Sequence, residues 1–457
     1  MEAPLNWSDL PDEIIERIFS FLHLKHVTPF LAVPQLQRIA LNRYYSRIHI
    51  YNDIDSTKHE YQNMTVEEFS DFVLDPRFTN LRISKLVLSF PQTLPPHVVQ
   101  RIQQATYLEI DWCQPENDID PHEVPLFENI RHFDLECHSV DWGSMVFPPR
   151  MEELNISVDR DYASGHGRVR FPRSLKALSL SGVAWTNSLC DGVPNLEELE
   201  VEDPLFFRYP SRLKTLRLWA DKLPDLYGLE LPSTLTRLFL ECSLLGSLAG
   251  VVLPLTLREL HLFTSTSLTE LGIDLNDGLR VFTIDESSLT SAAMEVITYP
   301  RSLRTLSVER SRITTLDFVQ RLPSTLVELN MVDNYIGSGE EISLMFSPKF
   351  TRVAFPAGLK ALNLSNNAKL FTGYDLEQFV FPDGLANINL IGTGLTDIVG
   401  VNVRGIELKL DKLAAATLLK TKAEKMRLKL QEIKKRKRLG TKSLDSDPNV
   451  VTNGHAP

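Results

Sequence analysis

One nine-residue phrase returns at a fixed step in the middle of the chain, and that periodicity limits the possible folds more than any other feature. Residues 231–263 read LPSTLTRLFLECSLLGSLAGVVLPLTLRELHLF. Pro232, Leu235, Leu238 and Leu240 return as Pro254, Leu257, Leu260 and Leu262, each 22 residues on. The phrase is P-x-x-L-x-x-L-x-L. Its L-x-L step has period two, so both leucines face one side of a short strand. One such strand cannot bury its leucine face alone, so successive repeats must stack. Each fully buried leucine stabilises the stack by roughly 1.5–3 kcal/mol. The proline suits the start of a strand, where its missing N–H costs least.

L-x-x-L-x-L belongs to the leucine-rich repeat. Aligned on the first leucine-like position, repeats begin at Ile83, Ala105, Ile130, Met151, Leu175, Leu196, Leu213, Leu235, Leu257, Leu279, Leu303, Leu326, Leu359 and Leu385. The step is 22 residues three times running from Leu213 to Leu279, shortens to 17 after Leu196 and lengthens to 33 after Leu326. The long step implies an insertion, GSGEEISLMFSPKF, on the outer side. Linking segments are short, which predicts irregular outer walls over long helices. Three residues past the second strand leucine the repeat calls for a small polar side chain that can bond the turning backbone. Asp221, Ser243, Ser265, Ser287, Ser311, Asn334, Asn367 and Thr393 occupy that position. The fold class expected is an α/β solenoid: an arc of about fourteen repeats over 81–408 with parallel strands on its concave face.

Function in such an array lies on the strand positions flanking the leucines. In the N-terminal half these are mostly acidic, and Glu198, Glu200 and Glu202 continue the trend. Trp219, Phe239 and Phe263 then fall on successive strands beside Arg217, Arg237 and His261. Aromatics with arginine are the composition of binding hot spots. These nine residues are the candidate target-binding set, with an apolar or basic anchor of the target on the aromatics and the glutamates steering it. A one-residue slip in strand register would bury the aromatics instead.

Ahead of the array, Leu10, Ile14, Ile15, Ile18, Phe19 and Leu22 mark one apolar helix face, with Pro11 in its first turn and Asp12 and Glu13 at the positive end of the dipole. A second helix is expected over 27–31 and a third over 33–44, with Leu36, Ile39 and Ala40 inward. Three short helices make a very small core. LPDEIIERIFSFL followed by LAVPQLQRIALNRYY resembles the F-box, through Leu10, Pro11, Glu13, Ile14, Ile18, Leu22, Leu31, Val33, Leu36 and Ile39. It departs from the family pattern at Pro29 and Pro34, and Tyr44 or Tyr45 stands nearest where many F-boxes have tryptophan. F-boxes dock substrate receptors onto the Skp linker of SCF ubiquitin ligases, and through it onto a cullin scaffold. The resemblance implies linker contacts at Leu10, Pro11, Ile14, Ile18, Leu22 and Leu36. Residues 1–50 are assigned to this head. Thr65 to Glu68 forms a capping box for a helix with Phe69, Phe72 and Val73 inward, in a connector over 51–80.

The net charge is −11, but 409–439 carries 12 Lys/Arg against 3 Asp/Glu, so the remainder is more acidic than the whole. An acidic body disfavours nucleic acid on the main surface and favours basic partners, although solubility alone also accounts for it. Residues 409–439 are expected to form a basic helix covering the end of the array. KKRKR at 434–438 reads as a nuclear import signal, an anchor for acidic surfaces or a solvated helix end. Residues 440–457 are expected to be disordered. No apolar run reaches membrane-span length. The four cysteines, Cys113, Cys137, Cys190 and Cys242, form no C-x-x-C pair, which argues against zinc or disulfides and for a reducing compartment, cytosol or nucleus. No phosphate-loop, dinucleotide, zincin or serine-hydrolase motif occurs, and no cofactor is implied. Bacterial ubiquitin ligases with similar repeats carry a reactive cysteine after them, whereas no cysteine follows Cys242 here. Joined to the repeat array, the F-box resemblance implies a non-catalytic substrate-recognition subunit of an SCF-type ubiquitin ligase. The alternative is a leucine-rich scaffold or regulator without ubiquitin chemistry.

Overall fold

A computed structural model describes residues 10–51, 58, 60–89, 94–112, 129–137, 146–158, 171–182, 192–202, 208–221, 223–338, 352–396, 406–412 and 415. Most of the expected insertion after Leu326, most of the basic helix, the 434–438 run, the final tail, Cys113 and Cys190 lie outside these residues. The described chain divides into two compact units, Met1–Leu279 and Arg280–Pro457.

The first unit opens with α1 (Asp12–Ser20), α2 (Leu24–Val27), a 3-10 turn over Thr28–Ala32 and α3 (Gln37–Tyr44). Pro11 caps α1, its carbonyl accepting the N–H groups of Ile14 and Ile15 at 3.0 and 3.2 Å. Asp12 and Glu13 sit in the first turn, as the dipole favours. Ile15, Phe19, Val27, Leu36, Ile39 and Ala40 form the small core between the helices. Arg43 on α3 closes the end of α1 by donating to the carbonyls of Phe19 and Leu22 at 3.0 and 2.9 Å.

Eleven parallel strands follow: β1 (Arg47–Ile50), β2 (Gln62–Met64), β3 (Lys85–Ser89), β4 (Tyr107–Trp112), β5 (His132–Cys137), β6 (Glu153–Val158), β7 (Ala177–Ser181), β8 (Glu198–Glu202), β9 (Thr215–Trp219), β10 (Arg237–Glu241) and β11 (Glu259–Phe263). They lie in the order β2-β1-β3 and then in sequence to β11. The sheet therefore begins inside the stretch assigned to the head. Arg47–Ile50 and Gln62–Met64 escape the phrase because they carry no L-x-x-L-x-L. Ile48 and Ile50 still bury their side chains. Buried His49 is held between Asn63 Oδ1 at 2.8 Å and Ser89 Oγ at 2.7 Å, a polar solution that leucine periodicity does not register. The capping box at Thr65 and Glu68 forms and opens α4 (Val66–Leu74), burying Phe69 and Phe72, with Val73 half-buried. Next comes α5 (Pro96–Ile102), whose buried Arg101 donates to the carbonyls of Phe78, Thr79 and Leu81, each at 2.7 Å.

In the second unit β12 (Val281–Asp285), β13 (Thr305–Glu309), β14 (Glu328–Asn330), β16 (Ala361–Asn363), β18 (Asn387–Asn389) and β19 (Glu407–Lys409) run parallel in that order, while β15 (Val353–Ala354) pairs separately with β17 (Phe379–Val380). β19 is a further turn that the phrase did not mark. The described outer segments are turns and helices of no more than five residues, as at Ser291–Glu295 and Asp317–Arg321.

All fourteen repeat-starting residues are buried, and each precedes a strand of its sheet. The proline of the phrase has a different task from the one expected. Its carbonyl accepts the N–H of the leucine three residues on, as Pro232 does for Leu235 and Pro254 for Leu257, both at 3.0 Å. P-x-x-L is thus a tight turn that delivers the chain to the strand, and proline at its first position needs no N–H.

A second turn leaves each strand. Thr264, Glu286, Arg310, Asp333 and Asn366 adopt φ between 44° and 59°, all two residues past the second strand apolar position, where other repeats have Gly182 and Gly392. The polar residue next in line holds this bend. Asn334 donates to the carbonyls of Val308, Met331 and Val332 and accepts from the N–H groups of Ser311 and Ile313. Asn367 donates to Met331, Leu364 and Ser365 and accepts from Ile336 N–H. Asn367→Ala removes the hydrogen bonds of Ile336 N–H and the Leu364 carbonyl, while the Met331 and Ser365 carbonyls keep Asn334 and Asp333 as donors, so it should lower unfolding stability by on the order of 2–3 kcal/mol. Ser243→Ala, at the same repeat position but half-exposed, should change it by no more than about 0.5 kcal/mol. Urea unfolding of the two variants beside the parent chain makes the comparison.

Candidate interaction surface on the sheet

Four consecutive strands build the central surface. Leu199, Val201, Leu216, Leu218, Leu238, Leu240, Leu260 and Leu262 are buried, so their neighbours face outward, and the register expected from the leucines holds. One cross-strand row reads Glu200, Arg217, Phe239, His261. Its members touch one another along the row. The Arg217 guanidinium lies 3.9 Å from the Phe239 ring centroid and 3.8 Å from the Glu200 carboxylate. Phe239 stacks on His261 at 4.5 Å with planes 4° apart, and His261 lies against Phe263 at 5.9 Å and 9°. Arg237 donates to Thr215 Oγ1 at 3.0 Å and pairs with Glu198 at 3.3 Å. Cation–aromatic contacts of this kind are worth roughly 0.5–2 kcal/mol, most when desolvated.

Burial pushes the His261 imidazole below its ordinary pKa. The Glu259 carboxylate, 3.7 Å away, opposes that shift, and Arg217 adds to it. Lost hydration, and not the flanking rings, is what disfavours the charged imidazolium here.

The sequence-based set is mostly together. Trp219, Phe239, Phe263, Arg217, Arg237, His261, Glu198 and Glu200 share this face, with Trp219 45% exposed. Glu202 does not belong to it. Its side chain is buried and accepts from Ser181 Oγ at 2.7 Å and Gly182 N–H at 2.8 Å, tying down the left-handed turn after β7. Strand alternation placed Glu202 outward; the neighbouring turn folds over it. In the head, Pro11, Ile14 and Ile18 are exposed, and Leu10 and Leu22 are half-buried. Leu36 is 2% exposed at the centre of the helical core, so it supports the head and offers no contact surface.

Two further polar clusters were not singled out from the sequence. Tyr107 OH donates to Asp134 and, at 3.2 Å, to Glu109, which also pairs with Lys58; Lys85 Nζ lies 4.4 Å from the Tyr107 ring centroid. Burial raises the Asp134 carboxyl despite the Tyr107 hydrogen bond. Asp134 and Tyr107 belong to a groove of about 310 Å³ that runs to Arg217. Lys58 lies far outside the recurring phrase, so pattern alone gave no sign that it meets Glu109. In the second unit Asn330, Asn363 and Asn389 align across three strands in an open groove of about 510 Å³. An asparagine directly after the inward apolar residue, twice L-N and once I-N, was the available signal for that ladder.

Among the described residues no cluster of three or more His, Cys, Asp or Glu could hold a metal ion, and no helix is long and apolar enough to cross a membrane. The arrangement is chemically suited to contact: paired charges, stacked rings and a partly exposed indole.

No protein-family model and no curated protein matches the chain. Solved structures do. CroV588, described as a novel circular LRR protein structure, is 15% identical with a TM-score of 0.37, over 80% of this chain and 60% of its own. The functional domain of InlJ from Listeria monocytogenes is 15% identical with a TM-score of 0.36, over 76% of this chain and 81% of its own. The LRIM1/APL1C complex gives 14% identity and a TM-score of 0.32, over 88% and 78%. The chain thus spans about three-fifths of the first of these.

The depressed His261 has a consequence for stability. The unfolded chain binds this proton more readily, so stability should fall as pH drops through the unfolded imidazole value of about 6.5 and level off below the folded value. His261→Phe keeps an aromatic ring between the phenyls and removes the titration. The loss of unfolding midpoint between pH 7.5 and 5.5 should therefore be smaller in the variant than in the parent chain, measured by denaturant titration at both pH values.

Proposed function

We propose that the chain is a non-catalytic substrate receptor of an SCF-type ubiquitin ligase, its F-box-like head docking the Skp linker and its sheet face holding the target. One observation carries the reading. The apolar residues of α1 serve two faces: Ile15 and Phe19 enter the head's own core, while Ile14, Ile18 and Phe21 are 46%, 37% and 80% exposed. Their spacing of four and three places them in one stripe, with exposed Pro11 at its start. A head this small leaves that stripe uncovered, and contiguous exposed apolar side chains suit burial by another protein. The resemblance of residues 10–45 to the F-box names the partner.

In this role the protein forms and breaks no bond. It holds a target beside a ubiquitin-charged enzyme and converts a bimolecular encounter into a tethered one. The linker-facing set is Leu10, Pro11, Ile14, Ile18 and Leu22, with Phe21 added by its exposure and Leu36 removed by its burial.

Capture of the purified Skp linker by the immobilised full chain tests this. Ile14→Asp with Ile18→Asp should cut capture more than tenfold with little change in unfolding midpoint, because neither side chain supports the core. Ile15→Ala should instead destabilise the head by about 2–5 kcal/mol. A parent chain that captures no linker removes the ubiquitin reading and leaves an interaction scaffold.

A further inference from the structure

The row beside the Glu200–Arg217–Phe239–His261 row differs in kind. Trp219, Glu241 and Phe263 stand in cross-strand register on β9, β10 and β11. Adjacent strands are about 4.8 Å apart, so the two aromatic side chains spring from the backbone roughly 10 Å apart with the carboxylate between them. Glu241 takes a hydrogen bond from Thr264 Oγ1 at 3.1 Å, and among the described residues it has no ion pair. The three residues line an open groove of about 340 Å³ together with Phe239, Arg217 and Glu200.

We infer that this groove seats a cationic side chain, arginine or lysine, of a partner protein, between Trp219 and Phe263 and over the Glu241 carboxylate. The inference rests on the sheet face being the target-binding surface. The adjoining row supplies the template: there the protein's own Arg217 lies against Phe239 and beside Glu200. The outer row repeats the aromatic and the carboxylate and, among the described residues, lacks the cation. An anionic anchor fits poorly, because both nearby arginines are already engaged, Arg217 with Phe239 and Glu200, Arg237 with Glu198 and Thr215. The negative balance of the whole chain adds attraction for a basic segment. A cation within about 6 Å of two ring centroids gains from both, and a carboxylate below it sets orientation.

The test uses the immobilised full chain and three sets of 13-residue peptides with random flanks and arginine, citrulline or glutamate at the centre. Citrulline keeps the shape of arginine and removes its charge. The parent chain should retain the arginine set at least tenfold over the citrulline set and should not enrich the glutamate set. Glu241→Gln should bring the arginine preference close to onefold, Glu241→Asp should keep most of it, and Trp219→Ala should lower retention of all sets. Equal retention of arginine and citrulline, enrichment of glutamate, or no retention of any set by the parent chain overturns the inference. Linker capture on the same preparation separates the two claims. Capture without a charge preference sinks only the cation seat. A charge preference without capture sinks only the ubiquitin reading.

Discussion

Leucine against leucine across adjacent parallel strands is the contact on which everything else in this protein depends. Each strand is four to six residues long in most repeats and could not persist alone. Stacked, it buries an L-x-L pair on both flanks, and the backbone N–H and C=O groups of one strand are satisfied by the next. Both turns of the repeat serve this contact. The P-x-x-L turn starts each strand at the same phase, and the left-handed residue with its buried asparagine or serine ends it at the same phase. Non-glycine residues at positive φ cost about 1–2 kcal/mol each. They persist because the hydrogen bonds of the neighbouring polar residue and the packing of the next leucine over-determine the bend.

That regularity frees the opposite face. Because the inner positions hold the strands, the outer ones can be chosen for contact, and they fall into local chemistries. Lys58 and Lys85 meet Tyr107 and Glu109 at one end of the first unit, arginine and aromatics stack at β9 to β11, and asparagines align in the second unit. The head follows a different logic. Its core has six buried apolar residues, too few to hide every isoleucine of α1. The exposed stripe is a direct result of that shortage, and a partner supplies what the head cannot.

The legibility of the site followed the same division. Alternation around the leucines placed Trp219, Phe239, His261 and Phe263 outward without knowledge of any neighbour. It misplaced Glu202, since alternation does not register that Gly182 and Ser181 turn back over its carboxylate. It misjudged Leu36, because a resemblance assigns roles by alignment and does not distinguish a helix position that meets a partner from one that meets Phe19 and Ile15. It passed over β1 and β2, whose inward residues are not leucines in the recurring spacing, and over β19, where Leu408 and Leu410 keep the L-x-L step but Gly405 stands in place of the leading leucine.

The sequence by itself determined the parallel stack, the phase of nearly every strand and the outward side of the array, because burying a period-two leucine face admits one register. Tertiary structure alone decided which outward residues stay open. The choice between an exposed Trp219 and a buried Glu202, or between a Glu241 with no ion pair among the described residues and a paired Glu200, depends on side chains that arrive from a repeat away, and no periodicity records who those neighbours are.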